Sequence, residues 1–258
     1  MECVLSLSYG KDSLACLGAI EVLGWPLDRI ITADLWATDI LPADLPPMVE
    51  FKAYADNIIQ KRWGLQVEHV RGPYTAEQLI YRKRIRGNRV GEMSGWPRIK
   101  GCEIQSSCKR EPLGKAMSGK IAYWGIAADE SDRIEQHQMK QDVKMPLVAA
   151  GWTEADCRKW CDKNGLLSPI YTDYSRGGCW FCPQQRPEAL RILRKKYPEY
   201  WALMLRWDAD SPMKFKANGH TLHDYDKRFQ LEDEHLLIPG DSRFRWKMLE
   251  QSLNLRLF

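Results

Sequence analysis

Residues 8–13 read Ser-Tyr-Gly-Lys-Asp-Ser, a reversal of small, charged and hydroxyl groups between two apolar stretches. Cys3–Ser8 reads as a strand, and the stretch from Leu14 to Leu23 is apolar nearly all round, as in a helix covered on most sides. A strand, a tight turn and a helix start gather free backbone N–H groups at the positive end of the helix dipole. That is an anion site, and phosphate suits it best. Gly10 lets the main chain approach a ligand, Lys11 adds charge, and the hydroxyls of Ser8 and Ser13 add donors. Asp12 is an acid beside phosphates, which calls for a bridging cation or a capping role. The spacing is not that of a Walker A loop. The alternative is a plain βα turn in which Asp12 or Ser13 caps the helix.

Two further groups of residues have chemical potential. In "WGIAADESDRI", residues 124–134, Arg133 is the forked donor that phosphate recognition favours. The alternative there is an ordinary helix start capped at Ser131. The chain has eight cysteines. Cys179-x-x-Cys182, between Gly177-Gly178 and Pro183, has the bite of a metal knuckle, and Cys102 with Cys108 forms the other natural pair. On spacing alone, zinc, a cluster and four buried unligated thiols all fit. Cys157 and Cys161, at i and i+4, read as core filling, as do Cys3 and Cys16. Histidines 69, 137, 220, 223 and 235 form no ligand cluster, and the pair His220 and His223 reads as solvated loop. The run "YRKRIRGNR", residues 81–89, is the densest basic patch; it reads as a solvated face or as a grip on a phosphorylated or polynucleotide substrate.

The elements that must position these groups alternate. Arg29–Leu35 is a second strand, followed by "WATD". Pro46-Pro47 open a helix with Met48, Phe51, Ala55 and Ile58 on one face. Leu65–Val70 and Lys120–Ile126 are further strands. Thr153 caps a helix running to about Asn164, with Gly165 as its stop. This alternation predicts a parallel sheet wound on both sides, with ligands at the carboxyl ends of its strands. Beyond Pro183 the pattern becomes helical. Leu190, Leu193 and Tyr197 mark one face, and Tyr200, Leu203, Met204 and Trp207 another. Ser211–Gly219 is a loop, and a last helix spans Ser242–Leu253. The expected division is a nucleotide-binding domain over 1–183 and a helical extension over 184–258.

The hexapeptide resembles the SGGKDS-type PP-loop of the N-type ATP pyrophosphatases and the phosphoadenosine phosphosulfate (PAPS) reductase family, with Tyr9 where many members carry Gly. Residues 124–134 resemble that family's "G-I-R-x-x-E-S-x-x-R" element, with Ala127 where Arg is common. Residues 152–183 are similar to its segment of capped helix, turn and Gly-Cys-x-x-Cys. The resemblance covers roughly residues 3–183 in family order. It implies an adenine nucleotide alpha hydrolase-like, Rossmann-like α/β fold. It implies ATP or a related adenylyl nucleotide held by Ser8, Tyr9, Gly10, Lys11, Asp12, Ser13, Asp39, Gly125, Glu130, Ser131 and Arg133. Lys11 and Asp12 would be catalytic, and Mg²⁺ would neutralise the leaving group. "KREPL" after Cys108 resembles the segment following the paired cysteines of adenylylsulfate reductases. That resemblance implies a [4Fe–4S] cluster on Cys102, Cys108, Cys179 and Cys182, with zinc as the alternative.

The resemblance further implies adenylation of an acceptor with release of pyrophosphate, for sulfur or related group transfer. Family reductases carry a nucleophilic cysteine near the C-terminus. Here no cysteine follows Cys182, which argues against a sulfonucleotide reductase. The acceptor is left open between a nucleic acid, as in tRNA thiolation or DNA phosphorothioation, and a sulfur carrier. A non-catalytic nucleotide-sensing module is the other class. Composition fits an ordinary globular protein, at 44% hydrophobic and 28% charged residues. A net charge of +4 is too small to establish a nucleic-acid partner. No apolar run reaches the roughly 18–20 residues of a membrane span, and the N-terminus lacks the features of a secretory signal. The expectation is a cytoplasmic protein whose cysteines are thiols or metal ligands.

Overall fold

A computed structural model describes residues 1–98 and 101–249. In chain order the elements are β1 (Cys3–Ser6), α1 (Lys11–Leu23), β2 (Arg29–Asp34), α2 (Pro46–Trp63), β3 (Val67–Arg71), α3 (Ala76–Tyr81) and α4 (Glu103–Gln105). A π-turn over Ser106–Arg110 leads into α5 (Glu111–Ala116), followed by β4 (Ile121–Tyr123), α6 (Ser131–His137), β5 (Val143–Lys144), α7 (Pro146–Ala150) and α8 (Glu154–Lys163). A 3₁₀ turn at Pro169–Thr172 precedes α9 (Pro187–Lys196), α10 (Pro198–Asp210) and α11 (Leu222–Asp233). The chain forms two compact units. One comprises Met1–Thr75 with Ile104–Cys179, the other Ala76–Glu103 with Trp180–Phe258.

The first unit is an α/β fold. Its five strands are all parallel, in the order β3-β2-β1-β4-β5. The chain winds outward from β1 through β2 to β3, then returns to β4 on the other side of β1. Right-handed crossovers therefore put α1 and α2 on one face and the return crossover on the other. Val4, Ile31 and Ala33 are covered on the return face by Leu113 of α5. On the other, α1 packs against α7 and α8. Gly18 makes the α1–α8 contact close, since a Cβ there would meet the Trp160 ring at 2.3 Å.

Several boundaries differ from the sequence reading. Helix α1 begins at Lys11 instead of Leu14, so Lys11, Asp12 and Ser13 form its first turn. The buried face of α2 is Met48, Phe51, Ala55 and Ile59, so Ile59 takes the place assigned to Ile58. The strand expected over Lys120–Ile126 is only Ile121–Tyr123, and β5 was not foreseen, because two residues carry no periodicity. No helix among the described residues is long and apolar enough to cross a membrane.

The second unit is helical around an aromatic core. Trp96 meets Trp207 and Phe215 edge-on, and Trp180 stacks on Trp207. On α10 the buried residues include Trp201, Met204 and Trp207, with Trp201 in the place expected of Tyr200. The buried Asp208 accepts from Trp96 Nε1 (2.8 Å) and from the main-chain N–H groups of Leu222 and His223 (2.9 and 3.2 Å). It thus satisfies the start of α11, a helix the sequence reading missed. His223 Nδ1 lies 2.7 Å from Asp208, and His220 stacks on Trp246 at 3.7 Å, so neither is merely solvated. Of the helix expected over Ser242–Leu253, residues 242–246 are turn and irregular chain, 247–249 are helical, and 250–253 lie outside the described residues.

Candidate functional site

The opening loop lies at the carboxyl end of β1, where the sheet order reverses between β1 and β4. Open α/β sheets bind ligands in the crevice at such a point. Gly10 is the N-cap of α1 and makes no side-chain cap, so neither Asp12 nor Ser13 plays the capping role weighed above. Instead, Ser13 Oγ donates to the Gly10 carbonyl (3.0 Å) and accepts from the Ser8 N–H (3.1 Å). Ser8 Oγ lies 3.0 Å from Ser13 Oγ. The Lys11 N–H donates to the Tyr171 hydroxyl at 3.1 Å. Among the described residues, the N–H groups of Tyr9, Gly10, Asp12 and Ser13 donate to no protein acceptor. They are the orphan donors of a helix start, as the anion reading requires.

The segment after β4 joins this loop. A Cβ at Gly125 would lie 2.8 Å from both N and Cα of Ser13, so only glycine lets the two main chains touch. From there the chain turns back through Glu130, whose carboxylate accepts from the Ala127 N–H (3.0 Å) and from Arg133 Nη1 (2.6 Å). Arg133 is half exposed. Glu130 is the N-cap of α6 and Ser131 its first residue, both without a capping hydrogen bond. Asp39 is exposed on the connection between β2 and α2.

Acidic groups crowd Lys11. Its Nζ donates to Asp12 Oδ1 (2.7 Å) and Glu154 Oε2 (2.9 Å). Burial works to lower the Lys11 pKa, but these two partners outweigh it and hold it above the usual lysine value. Burial raises the Asp12 pKa; Lys11 opposes the rise, and Glu154 and Glu130 add to it. Glu154 is the first residue of α8, placed by a capping box in which Thr153 and Asp156 exchange hydrogen bonds. Glu154 and Tyr171 were missed by the sequence reading. They meet Lys11 from more than 140 residues away, and no local pattern marks them.

A second polar network backs the loop. Tyr9 is fully buried at φ +55°, and its hydroxyl donates to Asp56 Oδ1 at 2.5 Å. His69 on β3 stands between Asp34 Oδ2 (2.8 Å, at Nδ1) and Asp56 Oδ2 (3.1 Å, at Nε2). Lys52 pairs with Asp44 (2.6 Å) and reaches Asp34 (3.5 Å). Burial first, then the Asp56 hydrogen bond and charge, lifts the Tyr9 phenol far above its ordinary range. The sequence reading left His69 out of any cluster, whereas it lies among carboxylates brought in from β2 and α2.

Within either unit, among the described residues, no group of three His, Cys, Asp or Glu side chains is disposed to hold a metal ion. The carboxylates beside the loop still suit Mg²⁺ in its usual nucleotide-bound form, carried mainly by phosphates and waters with one or two protein oxygens. The cysteines are all thiols, none in a disulfide. Cys3, Cys16, Cys157 and Cys161 are buried core residues, as expected, and burial pushes the last two up to about 12. Cys108 lies in the π-turn, its thiol donating to the Tyr74 carbonyl at 3.1 Å. Cys108 and Cys179 belong to the first unit, Cys102 and Cys182 to the second. No family model, curated protein or solved structure matches this chain.

Proposed function

We propose that the protein is a PP-loop enzyme of the PAPS reductase-like kind, binding ATP or a related adenylyl nucleotide at the Ser8–Ser13 loop. The observation that carries this reading is the set of unpaired N–H groups at Tyr9, Gly10, Asp12 and Ser13, at the point where the strand order reverses. In this reading the N–H groups and the Ser8 hydroxyl hold the phosphates. Lys11 exchanges Glu154 for a phosphate oxygen, and Arg133 adds a forked donor. An acceptor nucleophile attacks the α-phosphorus, the bond from that phosphorus to the bridging oxygen breaks, and pyrophosphate leaves with the bond's electrons. Bound Mg²⁺ supplies neutralisation of the charge gathering on that leaving group. Asp12 and Glu154 keep Lys11 charged and poised until the nucleotide arrives.

Titration calorimetry with ATP tests the binding step. Lys11→Ala with Asp12→Ala should abolish binding while leaving the thermal transition nearly intact, and unchanged affinity in that variant would overturn the reading. Exchange of labelled pyrophosphate into ATP, with candidate nucleic-acid and sulfur-carrier acceptors, tests adenylation. Binding without exchange under every acceptor would favour the nucleotide-sensing alternative. Cysteine thiols are proposed to hold a [4Fe–4S] cluster, with zinc the alternative; thiolates are the donor set both require. Anaerobically purified protein should be brown and contain iron and labile sulfide. Colourless protein with one equivalent of zinc would replace the cluster by zinc.

A further inference from the structure

Residues 82–94, within the second unit, form a short hairpin ribbon, paired at one antiparallel bridge and closed by turns and bends over 86–92. Lys83 and Met93 are bridged antiparallel, the Arg84 N–H donates to Glu92 (2.9 Å), and the Gly91 N–H donates back to Arg84 (2.9 Å). The ribbon is rooted firmly. At its base the Gly95 N–H donates to Ile80 (2.9 Å), and the buried Trp96 is fixed by Asp208 and by the ring of Phe215 at 4.9 Å.

Basic side chains dominate the projecting part: Arg82, Lys83, Arg84, Arg86 and Arg89, against a single acid, Glu92. Arg82 is drawn to Glu103 and Arg89 to Glu92 (2.6 Å), while Arg84 Nη2 holds the Ser94 carbonyl (2.9 Å). Lys83 and Arg86 are exposed and have no acidic partner among the described residues. Between the basic residues stand two apolar ones turned to solvent, Ile85 at 83% exposure and Val90 at 63%. A merely solvated face gains nothing from two aliphatic side chains held out among its charges.

We propose that this ribbon is a nucleic-acid-binding element, its basic residues on phosphates and Ile85 and Val90 against bases. Aliphatic wedges framed by arginines are a recurrent means of gripping unstacked or bent base steps. Charge complementarity selects a polyanion, and the aliphatic tip selects one that offers base faces as well as charge. The proposal is independent of the nucleotide-binding reading.

Fluorescence anisotropy of the full chain with labelled duplex DNA, single-stranded DNA and single-stranded RNA, over a salt series, tests it. At least one of the three should bind, and the strongest identifies the polymer. Lys83→Glu with Arg86→Glu should weaken binding at least tenfold. The neutral pair Lys83→Gln with Arg86→Gln should flatten the log–log salt dependence by about 2, one for each phosphate no longer neutralised. Ile85→Ser with Val90→Ser should weaken binding and leave the salt slope unchanged. All three variants should keep the wild-type circular dichroism spectrum and thermal transition. Absence of binding to all three polymers, equal affinity in the charge-reversed variant, or capture only by anionic lipid vesicles would each overturn the proposal.

Discussion

Tyr9 holds a left-handed backbone conformation, φ +55°, that bulky L-residues rarely adopt and that costs on the order of 1–3 kcal/mol. Glycine is the residue for which this conformation costs least. Here the side chain holds the conformation by tertiary means. Its ring is buried, and its hydroxyl is tied to Asp56, itself braced by His69 and Asp34. Tyr9→Phe keeps the ring and removes the tie, leaving the Asp56 oxygen with one partner fewer. It should lower unfolding stability by about 1–3 kcal/mol in denaturant titrations and weaken the ATP binding proposed for the loop. A Phe variant with wild-type stability and affinity would show that the hydroxyl does not shape the loop.

At the scale of elements, α8 determines where Lys11 rests, because its first residue is Glu154 and its cap is Thr153 with Asp156. Thr153→Ala should cost about 1 kcal/mol. The Asp156 carboxyl is held below its ordinary value by hydrogen bonds from the Thr153 side chain and main chain. Asp224 of α11 is likewise lowered: burial works against the shift, but its bonds to Thr221 outweigh burial. A carboxyl whose pKa falls on folding adds stability at pH values above its unfolded pKa, and that stability is lost as pH falls through the folded value. Both caps therefore contribute at neutral pH and fail in acid, below the ordinary aspartate pKa of 3.8. Stability curves from pH 6 downward should converge for wild type and Thr153→Ala at the acid end. Parallel curves throughout would show that the capping box does not couple to protonation.

Across the molecule, the site depends on a contact between two crossovers that leave the sheet in opposite directions. Gly125, just beyond β4, rests on the main chain of Ser13 at the start of α1. An alanine there would put a methyl group 2.8 Å from backbone atoms that cannot rotate away. Gly125→Ala should destabilise the protein by about 1–3 kcal/mol, the usual range for overpacking, and should weaken the proposed ATP binding through displacement of the loop. Chemical denaturation and calorimetry on the same variant measure both. Full affinity in a fully stable variant would mean that the two segments do not need to touch.

Apolar periodicity and turn chemistry are local properties, so the alternation of strands and helices, the parallel sheet, the loop at residues 8–13 and the Thr153 cap were legible in the amino-acid order alone. The same holds for the core placement of Cys3 and Cys16, set in an apolar strand and an apolar helix, and of Cys157 and Cys161, which share one helix face with each other at i and i+4. Partners across space were not legible. Glu154 and Tyr171 reach Lys11, and Asp34, Asp56 and His69 gather behind Tyr9, only because the sheet sets β1, β2 and β3 side by side and packs α8 on α1. Strand β5 and the reason for Gly125 are likewise tertiary. A two-residue strand has no pattern of its own, and a missing Cβ has meaning only once another backbone occupies the space beside it.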